Sequence, residues 1–173
     1  MVNNMIIAIS GTPGTGKHSI AERISKLTGY KIIDLGKMLS SKNGEKEISI
    51  KELNKSFQKV KSDNSLVISH LSHLLNSKSI KTTIIIRTDP FILKKRLEKR
   101  GYAKSKVYDN VMFEALDGTY IEAKKRKRKV FQVDNSKDIE IAVKKVLNII
   151  HGKGKDDNVN FSDRIIKIEE MFK

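Results

Sequence analysis

The sequence predicts an α/β domain with a five-stranded parallel sheet flanked by helices. Two observations support this class: short apolar runs alternate with stretches of helical periodicity, and a glycine-rich turn follows the first run. Strands that alternate with helices along a chain form a parallel sheet joined by right-handed crossovers. The 173 residues have the length of one domain, with room for a small appendage.

The strands are predicted from short, mostly apolar runs, which are typical of strands covered on both faces. These runs are residues 5–9, 31–34, 65–69, 82–87 and 130–133. Apolar residues at helical spacing predict the longer helices at residues 17–29, 90–101, 106–128 and 139–150. Residues 35–61 predict two short helices with Gly44 between them, and residues 70–75 predict a short helix or a loop.

The last part of the chain follows the main domain, which we place at residues 1–152. Residues 153–160 are polar and are predicted to form a linker. Apolar residues at helical spacing then predict a short helix, with Ser162 in position to cap it. The pattern leaves two outcomes open, because this helix either packs onto the domain or frays from it.

The composition is strongly basic, with 35 Lys and Arg against 20 Asp and Glu and a net charge of +15. Such a surplus suits phosphate-rich partners. The absence of cysteine excludes disulfides, thiolate zinc sites and a thiol nucleophile. Residues 1–9 lack the features of a signal peptide, and no apolar run approaches the roughly 20 residues of a membrane span. We therefore expect a cytoplasmic protein with no membrane partner.

The strongest motif is the turn Gly11-Thr-Pro-Gly-Thr-Gly-Lys17, which follows a predicted strand and opens a predicted helix. In this context Gly11, Gly14 and Gly16 let backbone amides curl around a phosphate, and the helix N-terminus adds positive potential. Lys17 then reaches the β- and γ-phosphates of a nucleotide. The sequence therefore predicts a phosphate-binding loop (P-loop) that binds ATP.

One position of this loop departs from the standard pattern, which has Ser or Thr after the lysine to help hold Mg²⁺. His18 stands there, and the next hydroxyl belongs to Ser19. One step along a helix turns a side chain by about 100°, so Ser19 is a candidate Mg²⁺ ligand without being an equivalent one. Imidazole is a poor ligand for a hard cation. We expect nucleotide binding to survive and metal-assisted chemistry to be weaker.

Several stretches together resemble one family. The matching segments are the P-loop, Arg87-Thr-Asp89, Leu93-x-x-Arg96-Leu-x-x-Arg100-Gly-Tyr102 and Asp109-Asn110. They resemble the sixth adenylate kinase isoenzyme, the small nuclear-type adenylate kinases of eukaryotes and archaea linked to maturation of the small ribosomal subunit. The resemblance covers nearly all of residues 5–150 and excludes the tail.

This resemblance implies the fold of a P-loop nucleoside monophosphate kinase. It implies transfer of the ATP γ-phosphate to a nucleoside monophosphate, usually AMP, with ATPase activity and with ATP and Mg²⁺ as cofactors. It also implies a monophosphate-binding segment at about residues 34–53 and a mobile lid at about residues 103–113. A small-subunit ribosomal protein and rRNA are the macromolecular partners that the family suggests.

Arginine is the residue type that suits phosphoryl transfer, since its guanidinium donates two parallel hydrogen bonds to phosphate oxygens in bidentate geometry. Arg96 and Arg100 lie four apart on one helical face, where they form either a clamp on the phosphates or an exposed basic surface. Lys104 begins the lid and either closes over ATP or is an ordinary solvated lysine. Asp134 and Asn135 follow the fifth strand, at the edge where ligands of such sheets gather. The family places that loop near the adenine, and the alternative is a simple turn and helix cap.

A second departure lies after the third strand, where family members carry an acid followed two positions later by histidine. Here Ile68 occupies the acidic position and His70 matches the histidine. In the monophosphate segment, Asp34 and Gly36 are the candidate substrate-binding residues, together with His70. That segment is short and rich in lysine, which leaves the substrate preference open.

Two functions from different classes therefore remain. The first is a nucleoside monophosphate kinase with ATPase activity, favoured by Lys17, Arg96 and Arg100. The second is a nucleotide-binding ribosome-assembly factor with little kinase activity, favoured by the displaced magnesium groups.

Six consecutive cations at residues 124–129 are either an RNA-binding patch on a helix end or a solvated surface. Arg87 either joins the phosphate-binding cations or is structural.

Overall fold

The computed structural model describes residues 5–43 and 48–173 of the chain. Its centre is a five-stranded sheet with every neighbouring pair parallel, in the order β2-β3-β1-β4-β5. The strands are β1 (Ile6–Ser10), β2 (Lys31–Asp34), β3 (Ser65–Ile68), β4 (Ile80–Arg87) and β5 (Lys129–Asp134). The predicted α/β fold with a parallel sheet is thus confirmed.

Helices cover both faces of the sheet. They are α1 (Lys17–Thr28), α2 (Leu35–Asn43), α3 (Ile50–Val60), α4 (Pro90–Lys99), α5 (Lys104–Ala115), α6 (Gly118–Lys124), α7 (Ile139–Ile150) and α8 (Ile165–Phe172). Single 3₁₀ turns occur at Ser72–Leu74 and Ser162–Arg164. The predicted break at Gly44 lies outside the described residues. None of the helices in the described ranges is long and apolar enough to cross a membrane.

The prediction of one helix over residues 106–128 is wrong, because two helices occupy this stretch. Asp117 adopts a left-handed conformation (φ 57°) between α5 and α6. Its carboxylate accepts a hydrogen bond from the buried Arg87, which fixes the bend. Gly118 follows, and a Cβ at this position would overlap the ring of Phe113. The second helix ends at Lys124, so most of the basic run lies in turns before β5 and does not wrap around a helix.

Alternation along β1 places its side chains on opposite faces of the sheet. Ile7 and Ile9 belong to a core formed with α1 and α7, whereas Ile6 and Ala8 belong to a core formed with α2 and α3. A third cluster joins α4, α5 and α8. With a core on each face, the central strand β1 is buried along its whole length and holds the loop that follows it in a fixed place.

The C-terminal helix packs onto the domain, which resolves the alternative that the sequence left open. Ile168 is buried in the cluster of α4 and α5, and Phe172 meets Tyr108 edge-on at 5.2 Å between ring centroids. The predicted cap is wrong: Ser162 begins the 3₁₀ turn, and α8 starts three residues later without a side-chain cap. Hydrophobic packing therefore holds this helix in place, not a capping hydrogen bond.

Candidate nucleotide-binding site

The P-loop joins β1 to α1 in a conformation that only glycine adopts without strain at three positions. Gly11, Gly14 and Gly16 have φ angles of 146°, 92° and 91°. A Cβ at Gly11 would lie 2.5 Å from the carbonyl oxygen of Ile86, and one at Gly16 would overlap the amide of Asn135. The three predicted glycines therefore allow the chain to pass close to β4 and to the loop after β5.

Lys17 is the first residue of α1, and its side chain is only 5% exposed. Its Nζ donates a hydrogen bond to the carbonyl oxygen of Thr12 at 3.4 Å, so the ammonium lies inside the loop. Burial, with repulsion from Arg100, lowers the pKa of Lys17 to about 8, although Glu114 and Asp34 oppose the shift. The group is mostly protonated at neutral pH and would gain from an anionic ligand.

Two cavities flank the P-loop and share Gly14, Gly16, Ser19 and Arg100 in their walls. The first, of about 450 Å³, extends to Asn135 and the start of α7, and we call it the α7-side cavity. The second, of about 430 Å³, extends from the loop to the segment after β2, and we call it the β2-side cavity. The loop therefore has room for a separate group on each side.

The structure brings both predicted arginines to this loop, in different environments. Arg96 is half-buried and donates from its guanidinium to the carbonyl oxygens of Gly14 (3.2 Å) and Asn135 (3.5 Å). Burial, with repulsion from Arg100, lowers the pKa of Arg96 below its usual range. Arg100 is exposed at the end of α4 and lines both cavities. Arg96 thus supports the loop backbone while Arg100 faces the space beside it.

The two residues predicted near the adenine have different environments in the structure. Asn135 lines the α7-side cavity and donates its side-chain amide to the carbonyl oxygen of Thr15 at 2.8 Å. Asp134 lies outside both cavities, and its carboxylate accepts hydrogen bonds from the backbone and hydroxyl of Ser136. Asp134 therefore forms a simple turn, which is the alternative to adenine binding that the sequence left open. Lys104 also lies away from both cavities, because it lines a groove between α5 and α8. The described conformation therefore brings only Asn135 of these three to the P-loop.

The predicted substrate-binding residues surround the β2-side cavity. Asp34, Gly36 and His70 all line it, together with His18. The Nε2 of His18 lies 3.0 Å from a carboxylate oxygen of Asp34, which makes the two side chains a pair. Partial removal from water lowers the pKa of His70 below its usual range, and the charge of the P-loop lysine adds to this effect. His70 is therefore neutral at physiological pH.

Magnesium fits the residues of this site poorly. Mg²⁺ prefers oxygen ligands in octahedral geometry, and the position after the P-loop lysine offers an imidazole in their place. Ser19 is exposed and lines both cavities, so its hydroxyl remains a candidate ligand. Ile68, at the position of the family's acid, is 1% exposed and lies in the core, where it presents no ligand. Asp34 is the carboxylate in the wall of the β2-side cavity, and it is paired with His18.

Sequence reasoning missed Glu114, a buried acid of α5 that contacts the P-loop. One carboxylate oxygen accepts from the hydroxyl of Thr12 at 2.6 Å, and the other accepts from Arg87 at 2.7 Å and from the backbone of Thr88 at 3.1 Å. A signal existed in the sequence, because Glu114 shares a helical face with the buried Val107 and Val111. An acid on an apolar face requires a buried partner.

The buried partner of Glu114 is Arg87, and this contact shows that Arg87 is structural. Its guanidinium is 1% exposed and also donates to Asp117 at 2.6 Å and to the side chain of Gln132. Burial opposes its charge, but the carboxylates of Glu114 and Asp117 together raise the pKa of Arg87. The ring of Phe161 covers it at 5.4 Å. Arg87 therefore holds β4, α5 and the C-terminal segment together and does not face either cavity.

Comparisons with known proteins identify the family of the chain. A family model described as an AAA domain matches residues 7–117. The protein of Thermococcus kodakarensis named "Putative adenylate kinase" is 34% identical over 157 residues, which cover 84% of this chain and 85% of the relative. The protein of the same name from Methanocaldococcus jannaschii is 34% identical over 173 residues, with coverage of 92% and 94%.

Solved structures agree on the fold. Shikimate kinase from Bacteroides thetaiotaomicron superposes with a TM-score of 0.61 at 15% identity, covering 85% of this chain and 98% of that one. Deoxyadenosine kinase from M. mycoides superposes with a TM-score of 0.59 at 17% identity, with coverage of 86% and 99%. At these identities the likeness concerns the fold alone. On the sequence matches, the chain belongs to the archaeal P-loop family whose members carry the name putative adenylate kinase.

Proposed function

We propose that the protein is a nucleoside monophosphate kinase that transfers the γ-phosphate of ATP to AMP, with accompanying ATPase activity. The observation that carries the proposal is the position of the P-loop between two cavities that share Arg100. Such an arrangement suits a donor nucleotide on one side and an acceptor on the other. The name of the relatives supports the choice of AMP.

In this mechanism the chain positions the nucleotide phosphates and supplies positive charge around them. Phosphoryl transfer spreads negative charge over the three oxygens of the moving group, and fixed cations stabilise that charge. Lys17 holds the β- and γ-phosphates from within the P-loop, where its burial makes the interaction stronger than it would be in water. Arg100 faces the same space, and Arg96 keeps the loop in the conformation that aims its amides at the phosphates.

The acceptor belongs in the β2-side cavity, against Asp34, Gly36 and His70. These residues lie in or near the proposed monophosphate-binding segment, residues 34–53. The proposed lid, residues 103–113, forms most of α5, and its Lys104 lines the groove beside α8. Charge stabilisation in this conformation therefore depends on Lys17 and the two arginines.

The test is ADP formation from ATP and AMP in a coupled assay with a divalent cation present. We expect Lys17→Ala to lower turnover by a factor of about 100 or more, as for removal of one donor from an electrostatic site. The control is Lys95→Ala, which removes an exposed lysine of α4 that lines neither cavity. Wild-type turnover no higher than that of Lys17→Ala would reject the kinase function.

A second function is favoured by two observations, the poor fit to Mg²⁺ and the exposed part of the basic run. It is that of a ribosome-assembly factor that binds rRNA and a small-subunit ribosomal protein. Lys124, Lys125, Lys127 and Lys129 are exposed. Arg128 is half-buried, donates to the backbone carbonyl of His73 at 2.5 Å, and has a pKa lowered to about 10 by burial and by Arg126. Four of the six cations are thus available to phosphates.

Four phosphate contacts predict that the affinity for single-stranded RNA falls with the logarithm of salt at a slope of about −3. The variant changes the four exposed lysines of the run to Gln, and its slope is expected to approach zero. Its control changes Lys153 and Lys155, which are also exposed, to Gln. A wild-type affinity that does not change with salt would contradict RNA binding by this run.

A further inference from the structure

We infer that His18 and Asp34 together bind a first-row transition-metal ion, Mn²⁺ or Co²⁺, beside the phosphates of a bound nucleotide and in preference to Mg²⁺. The inference deepens the proposed kinase function and rests on it, because the phosphates supply the other ligands. It gives a role to His18, which stands where the standard P-loop has Ser or Thr. It also makes Asp34 a metal ligand in addition to a residue of the acceptor site.

The two side chains form a pair in the wall of the β2-side cavity. His18 lies in the first turn of α1, directly after the P-loop lysine, and Asp34 ends β2. Their side chains are 54% and 23% exposed, so both are accessible to an ion in the cavity. Lys17 and Ser19 line the same cavity, which places the pair beside the loop where phosphates are held.

The spacing of the donor atoms matches an octahedral metal ion. The Nε2 of His18 and the Oδ2 of Asp34 are 3.0 Å apart. Two ligand bonds of about 2.1 Å at a right angle place their donor atoms about 3.0 Å apart. A metal ion therefore replaces the shared hydrogen of the pair without drawing the two atoms apart, and only the ring has to turn.

The ligand set decides which ion is favoured. Mg²⁺ seeks oxygen ligands and keeps its waters, so an imidazole adds little to its binding. The affinity of a mixed nitrogen and oxygen site for divalent ions of the first row rises in the order Mn²⁺, Fe²⁺, Co²⁺, Ni²⁺, and imidazole suits the ions after Mn²⁺ best. One nitrogen, one carboxylate oxygen and the phosphate oxygens form a mixed octahedral set, which Mn²⁺ and Co²⁺ accept.

The surrounding charges make metal binding depend on the nucleotide. Lys17 and Arg100 both line the cavity and repel a cation from it. Phosphates held in the loop neutralise these charges and add oxygen ligands. We therefore expect Mn²⁺ to bind weakly to the free protein and more tightly to its complex with a non-hydrolysable ATP analogue.

The experiment detects nitrogen ligation directly. Mn²⁺ is added to the complex of the full chain with the ATP analogue, and electron spin-echo envelope modulation is recorded. We expect ¹⁴N modulation from one imidazole in the wild-type chain and in His70→Asn, which keeps His18. His18→Ser should lose the modulation, weaken Mn²⁺ binding about tenfold or more, and narrow the preference for Mn²⁺ over Mg²⁺.

The second variant, Asp34→Asn, should weaken Mn²⁺ and keep the modulation when the ion is in excess. If the nucleotide binds but ¹⁴N modulation is absent, or survives in His18→Ser, the metal inference is overturned and the kinase proposal stands. If the chain does not bind the analogue with any of these ions, both are overturned. His151→Asn changes an exposed histidine at the end of α7 and serves as the matched control, with no change expected.

Discussion

At the scale of single residues, the P-loop depends on a side chain that is about a hundred positions away in sequence. Glu114 is 1% exposed and is shared between Thr12 of the loop and Arg87 of β4. A buried carboxylate is stable only while its hydrogen bonds and its charge partner are in place. The position of the loop is therefore coupled to the position of α5.

Replacing this carboxylate by an amide tests the coupling. Glu114→Gln keeps the shape but removes the charge that Arg87 faces, and Asp117 remains as a partner for the guanidinium. We expect the free energy of unfolding to fall by about 3 kcal/mol, at the low end for breaking a buried pair. Urea unfolding measures the difference.

The control for this substitution is Glu98→Gln, which breaks the exposed pair with Lys94 on the surface of α4. Surface pairs of this kind contribute little, and we expect a change within about 0.5 kcal/mol. Equal losses in the two variants would show that the buried network does not support the fold.

At the scale of elements, sequence patterns predicted the strands, helices and loops whose conformation depends on residues close by in the sequence. The five strands, the helix after the P-loop and the loop itself each follow from a local pattern of apolar residues and glycines. The bend at Asp117 was missed although Asp117-Gly118 is a local turn signal, because the helical pattern of apolar residues continues across it. The hydrogen bond from Arg87, thirty positions earlier, is the part of the bend that has no local sign.

The same division applies to the candidate site. Gly11, Gly14, Gly16 and Lys17 were predicted because their spacing within one short segment creates the loop geometry. The places of Asp134 and Lys104 were predicted by analogy, and the structure puts both outside the two cavities. Their environments are set by Ser136 and by α8, contacts that a sequence pattern does not specify.

At the scale of the whole molecule, the segment after α7 joins parts that the sheet leaves separate. Asp157 accepts a hydrogen bond from the backbone of Asp134 at 2.8 Å and so covers the edge strand β5. Arg164 then pairs with Asp89 at the start of α4, at 3.3 Å. The segment predicted to be a linker and a free or docked helix is in fact attached along its length, from β5 to α4 and α5.

This attachment predicts that packing of α8 contributes to the stability of the whole domain. Ile168 is 1% exposed in the core that α8 shares with α4 and α5, whereas Ile166 is 73% exposed on the same helix. We expect Ile168→Ala to lower the free energy of unfolding by about 2–4 kcal/mol and Ile166→Ala to change it by less than about 0.5 kcal/mol. Urea unfolding measures both, and hydrogen exchange of α8 amides shows whether the helix opens by itself. If Ile168→Ala and Ile166→Ala changed the free energy of unfolding by the same amount, the buried side chain of Ile168 would contribute nothing to the stability of the shared core. Such a result would mean that α8 does not unfold together with the domain.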